Sequence, residues 1–168
     1  MIEKRYQGII MANEKPDFIS KGELMLDSTS LAVLHSKSKE TLLEFILARF
    51  EVYVSILSLY EFLSSVAYYR AYDLKKLLLN IEKIYHILYP DKKVILKASE
   101  IDSALIHAGI FLNQIDLLVA STAIVNNLLL ITNKPENFEC IKKYGLFFIS
   151  LNEFLEKIKD YLGTLSKQ

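Results

Sequence analysis

Residues 24–31 read LMLDSTSL: three aliphatic side chains, an aspartate, then three hydroxyl residues. So short an apolar run, ended by a polar residue, predicts a buried strand. Ser28, Thr29 and Ser30 suit the start of a helix following directly on it. Four further runs of the same kind lie at 52–55, 94–96, 128–132 and 146–149. Helical spacing fills the intervals. Residues 38–50 carry Leu42, Leu43, Ile46 and Leu47 on one stripe. The stretch 57–89 is predicted helical throughout, breaking near Tyr72 and Asp73 into a two-helix arm. Residues 99–108 and 114–126 form a second pair. A short helix is expected over 135–144, with Pro135 in its first turn, and a last one over 151–162, capped by Ser150 or Asn152. Strands alternating with helices predict an α/β three-layer sandwich around a central, mainly parallel five-stranded sheet. In such sheets ligands bind beyond the carboxyl ends of the strands, so the residue after each strand is where function is sought.

The 168 residues are 52% hydrophobic and 24% charged, with 20 Lys plus Arg against 20 Asp plus Glu. That length suits one core, and that composition excludes wholesale disorder. No apolar run reaches the roughly 18 residues of a membrane span. The nearest, 117–131, is interrupted by Ser121, Thr122, Asn126 and Asn127. The first residues, MIEKRYQGIIMA, are too polar for a signal peptide. A single cysteine, Cys140, forms no internal disulfide, which fits a reducing cytoplasm. Residues 1–22, polar and containing Pro16, read as an N-terminal extension to a domain covering 23–168. The zero net charge matters most. A protein that handles nucleic acid by neutralising phosphates is usually basic, so any polyanion here must be met by a local patch or by bound cations.

Three acids fall where the fold places function. Asp27 follows the first strand. Glu61 lies in a helix rising from the second, among Leu57, Tyr60 and Phe62, where a carboxylate needs a partner. Asp116 opens the helix before the fourth strand. Carboxylates gathered at one sheet edge repel one another unless a counter-charge joins them. A hard divalent cation supplies it, and Mg²⁺ or Mn²⁺ bound by oxygen keeps room for phosphate oxygens. Asp27 or Asp116 alone reads more readily as a helix cap or dipole partner, whereas Glu61 in its apolar segment does not.

In this order the motifs resemble those of PIN-domain ribonucleases, above all the VapC-type toxins of prokaryotic toxin–antitoxin pairs. MLDSTSL over 25–31 is similar to that family's strand ending in Asp and Ser/Thr. VSILSLYEF over 54–62 matches Ser-x-x-Ser/Thr-x-x-Glu. IDLLVASTAI over 115–124 resembles its Asp-x-x-hydrophobic-Ala segment, and LLLITNKPENF over 128–138 its strand, Thr-Asn turn and Phe. The resemblance implies Mg²⁺- or Mn²⁺-dependent hydrolysis of RNA phosphodiesters, with Asp27, Glu61 and Asp116 as metal ligands. It also implies a small antitoxin partner and a homodimer; no membrane partner is expected, for want of a long apolar run. Ser28, Thr132 and Asn133 are supporting candidates, Ser28 and Thr132 to orient Asp27 or a water. The usual position of a fourth acidic or amide residue is taken by Lys134, flanked by Asn133 and Glu136 as possible substitutes. That departure keeps open a degenerate scaffold that binds protein or RNA; the other alternative, an RNA-processing nuclease that is not a toxin, shares the same chemistry.

Other features carry less. His35, His86 and His107 lack the spacing of a metal set and read as packing or surface residues. Cys140 reads as an inert buried thiol. There is no Gly-rich phosphate loop, nor the adjacent acid pair of a phosphoacceptor receiver domain. Tyr60, Tyr68, Tyr69, Tyr72, Tyr85 and Tyr89 crowd the arm. They cannot all face inward, so the arm is expected to expose some as a groove for self-association or an antitoxin.

Overall fold

The computed structural model describes residues 22–36, 40–69 and 73–165. The expected extension, apart from Gly22, lies outside them, as does Tyr72. In chain order the elements are β1 (Glu23–Leu26), α1 (Ser28–Leu34), α2 (Glu40–Arg49), β2 (Glu51–Ser55), α3 (Ile56–Tyr69), α4 (Leu74–Ile84), β3 (His86–Leu88), α5 (Lys92–His107), α6 (Gln114–Asn126), β4 (Leu129–Thr132), two 3-10 turns (Pro135–Asn137 and Glu139–Tyr144), β5 (Phe148–Ser150) and α7 (Leu151–Leu165). The strands form one sheet of order β3-β2-β1-β4-β5. Every pairing in it is parallel.

Alternation along the central strands divides the core in two. Leu24 and Leu26 of β1, with Leu129 and Ile131 of β4, face Leu31, Leu34, Ile46, Leu59, Phe62, Ile81 and Phe154 from α1–α4 and α7. Met25 and Leu130 point the other way, onto Ala98, Ile101, Leu105, Leu117 and Ala120 of α5 and α6. With both faces covered, β4 is buried at all four positions, as parallel sheets require. The edge strands β3 and β5 are only three residues long, which limits the unpaired backbone they present. Among the described residues no helix is long and apolar enough to cross a membrane.

Several expectations need correcting. The run 94–96 is no strand: it lies in the first turns of α5. Asp91 caps that helix by accepting from the Val94 N–H (2.9 Å), and Val94, Ala98, Ile101 and Leu105 form its buried stripe. The third strand is instead His86–Leu88, so the arm is not helical up to residue 89. The helix expected over 135–144 is two 3-10 turns, the second carrying a half-buried rather than buried Cys140. Ser150, not Asn152, receives the Glu153 N–H at the start of α7 (3.1 Å). Of the arm tyrosines, Tyr60, Tyr68, Tyr69 and Tyr89 are exposed and Tyr85 is buried.

Candidate active site

The connections decide where a crevice opens. From β1 the chain passes through α1 and α2 to its neighbour β2. From β3 it returns through α5 and α6 to β4, on the other side of β1. Covering helices therefore diverge between β1 and β4, and the carboxyl ends of these two strands are the switch point at which open α/β sheets bind ligands. Leu26 pairs with Ile131, so the next residues, Asp27 and Thr132, are neighbours there.

Asp27 is itself the cap of α1, in place of the serines that follow it. Its Oδ1 accepts from the Ser30 N–H (2.7 Å). The Thr29 hydroxyl lies within reach of both oxygens (2.8 and 2.9 Å), and Thr132 donates to Oδ2 (2.6 Å). A carboxylate so held is locked in orientation. It is only 5% exposed. Ser28 points elsewhere than expected: its hydroxyl donates to Glu61 Oε2 (2.7 Å). With Asp27 in the capping position, Ser28 is the first helical residue, and its side chain meets α3. Glu61 is half-buried in the second turn of α3, a helix started by Ser55, whose Oγ accepts the Leu57 N–H (3.2 Å).

Asp116 comes from the opposite face, in the first turn of α6, which Asn113 caps through the Ile115 N–H (2.8 Å). Burial raises its pKa above the ordinary value, and the charges of Glu61 and Asp27 raise it further. The Asn137 hydrogen bond and the Lys134 charge pull it back. Asp116 thus feels the charges of both other acids across the crevice. Asn137 was not among the sequence candidates. Its amide donates to Asp116 Oδ2 (3.2 Å), placed by the 3-10 turn that Pro135 begins.

The remaining candidates divide. The Asn133 N–H donates to Thr29 Oγ1 (2.9 Å) and the Lys134 N–H to Thr132 Oγ1 (2.9 Å), so this turn is tied to the Asp27 network through main chain. Glu136 is exposed and stands outside that network. His35 packs against Phe62 and Tyr85, and His86 against Tyr53. In the side-chain conformations present, no three His, Cys, Asp or Glu among the described residues close around one point. The donor set nonetheless suits a hard cation. It is all carboxylate oxygen, it carries mutual repulsion, and Mg²⁺ keeps several waters rather than demanding a closed protein cage.

The three acids at the switch point of this parallel sheet make the β1–β4 edge the candidate active site of an α/β domain. The chain belongs to the PIN domain family, whose profile matches residues 24–141. A VapC ribonuclease of Pyrococcus furiosus is 31% identical over 137 residues, 82% of this chain and 91% of that protein. Ribonuclease VapC1 of Methanocaldococcus jannaschii is 32% identical over 94 residues, 55% of this chain and 66% of its own length. Among solved structures, VapBC-1 from nontypeable Haemophilus influenzae matches with a TM-score of 0.65 at 19% identity, covering 76% of this chain and 97% of that one. VapBC2 from Rickettsia felis, bound to a promoter DNA fragment, gives 0.60 at 24% identity, covering 76% and 98%. At these identities the solved structures bear on the fold alone.

Proposed function

We propose that this protein is a divalent-metal-dependent endoribonuclease of the VapC kind, the toxin of a toxin–antitoxin pair, with Asp27, Glu61 and Asp116 holding the ion. The observation that carries the reading is the gathering of three carboxylates at the β1–β4 switch point, where Asp27 caps α1, Ser28 beside it holds Glu61, and Asp116 is raised by burial and then by the charges of Glu61 and Asp27. The sequence relatives support RNA as the substrate, since both are ribonucleases by name. The VapC name that both relatives carry is the ground for a small antitoxin as partner.

Mg²⁺ or Mn²⁺, when bound, activates water as a nucleophile and stabilises charge on the attacked phosphate. The chain's own residues prepare for this. Thr29, Ser30 and Thr132 fix Asp27 in one orientation, Ser28 fixes Glu61, and Asn137 fixes Asp116. Such outer partners set ligand geometry, and losing one typically costs about 10–100-fold in metal affinity or activity.

Labelled RNA incubated with purified protein and Mn²⁺ is expected to be cut, and a chelator to stop it. Asp116→Asn, which removes a direct ligand rather than an outer partner, is expected to lower the rate by about 100-fold or more, with an unchanged circular dichroism spectrum. Cutting at the wild-type rate by that variant overturns the assignment. Expression of the wild-type gene is expected to arrest growth, with relief by a small protein encoded beside it.

A further inference from the structure

We propose that the cavity lined by Ile110, Glu139, Cys140, Lys142 and Lys143 seats the backbone of the single-stranded RNA flanking the cut, while Phe111, next to Ile110, stacks one of its bases. This deepens the reading of the β1–β4 crevice as a ribonuclease site and rests on it.

Both walls of the cavity run on from residues that hold Asp116. One wall is the loop between α5 and α6, whose Asn113 caps α6 and so sets the turn that carries Asp116. The other is the second 3-10 turn, Glu139–Tyr144. It begins just after Asn137, whose amide donates to Asp116 Oδ2 (3.2 Å). Ile110 meets that turn across a space of about 400 Å³. The loop is fixed at both ends. Gly109, at φ +71°, follows the end of α5, and the Ile110 N–H reaches back to the Leu105 carbonyl (2.9 Å). Asn113 closes the other end. Phe111 stands between them, 84% exposed, with its aromatic face open to a ligand.

Charge selects the occupant. The crevice acids push phosphate away, and the chain has no overall surplus of positive charge, so a polyanion needs local cations. Lys142 and Lys143 place two on one wall. The single acid there, Glu139, approaches Lys142 only to 3.9 Å, and both side chains are mostly exposed. Such a surface pair contributes little and yields to a phosphate. Lys143 lies over the Tyr144 ring (5.1 Å), which steadies its ammonium. Cations along the backbone beside an aromatic face for the bases are the means by which single strands are gripped without sequence preference. An acidic peptide would satisfy the lysines but brings no base to stack on Phe111.

The cavity carries its own reporter, because Cys140, half-buried on its wall, is the one cysteine of the chain. Full-length protein in chelator, so that no strand is cut, is mixed with a fluorescein-labelled single-stranded RNA, and binding is read by anisotropy across a salt series. The double variant Lys142→Gln, Lys143→Gln is expected to bind about tenfold more weakly, and its slope of log affinity against log salt to be shallower by roughly 1.4, the share of two single-strand phosphate contacts. Phe111→Ala is expected to lose about tenfold with the slope unchanged. Saturating RNA is expected to slow alkylation of Cys140 by iodoacetamide about fivefold, by closing access to the thiol. An unchanged alkylation rate, or wild-type affinity in either variant, overturns the inference. Protection by polyglutamate equal to that by RNA overturns it in favour of a protein partner. Cutting in Mn²⁺ is scored separately. RNA cut by wild type while the thiol and the lysines stay silent sinks the cavity and spares the nuclease; binding and protection without cutting do the reverse. Thermal melts check that these exposed substitutions leave the fold intact.

Discussion

Asp27 serves the fold and the site with the same two oxygens. As the α1 cap it satisfies a backbone donor, and as a buried acid at the switch point it faces Asp116. Thr132 makes this double use workable, donating to Asp27 while accepting from the Lys134 N–H. Thr132→Val keeps the shape and removes both bonds, leaving a buried carboxylate short of a donor. The expected cost is about 1–3 kcal/mol by urea denaturation, with Thr132→Ser losing much less. Equal stability of the Val and Ser variants would show that the hydroxyl contributes nothing. The three acids were legible in the sequence because each adjoins a strand end or opens a helix tied to one. Asn137 was not. Its contact with Asp116 exists only because residues 135–137 turn as a 3-10 helix, and residue spacing alone does not distinguish that turn from the first turn of a longer helix.

Between elements, apolar runs misled where burial was partial. Val94, Ile95 and Leu96 look like a strand between lysines, yet Ile95 and Leu96 are 48% and 66% exposed, and the buried stripe runs on from Val94 at helical spacing. The true third strand sits at the sheet edge, where half-burial admits His86 and no apolar run is needed. Just before it, Tyr85 closes α4 and meets His35 at the end of α1 (2.9 Å), with the His35 ring against Phe62 of α3 (5.5 Å). This contact ties the carboxyl end of α1, the helix that Asp27 caps, to α3 beside Glu61 and to the end of α4. Tyr85→Phe is expected to cost about 1 kcal/mol. Burial lowers the His35 pKa below its ordinary 6.5, so the unfolded chain binds the proton more readily. The stability this neutral ring contributes is complete above pH 6.5 and declines as the pH falls from there toward the folded-state value. Urea midpoints at pH 7.5 and 5.5 should therefore fall further for wild type than for His35→Gln. Identical pH slopes would dismiss the buried ring as a contributor.

Across the whole molecule, zero net charge coexists with a strongly one-signed crevice, and folding must bring those acids together. Asp116 is held more readily protonated in the fold than in the open chain, by burial and then by its two acidic neighbours, so its ionised form opposes folding at neutral pH. Metal-free Asp116→Asn is accordingly expected to melt at or above the wild-type temperature, although it is the variant expected to lose activity. An ion that binds only the folded state reverses the order. At one hundred times its dissociation constant it adds about 2.7 kcal/mol, which for a domain of this length is a rise of roughly 5–10 °C. Melts in chelator and in saturating Mn²⁺ should show that rise for wild type and little of it for Asp116→Asn. The reason is the same in both halves of the experiment: the repulsion that weakens the empty site is the attraction that fills it, so removing one carboxylate must relieve the first and forfeit the second. A variant that gained as much from Mn²⁺ as wild type would place the ion somewhere other than between these three acids.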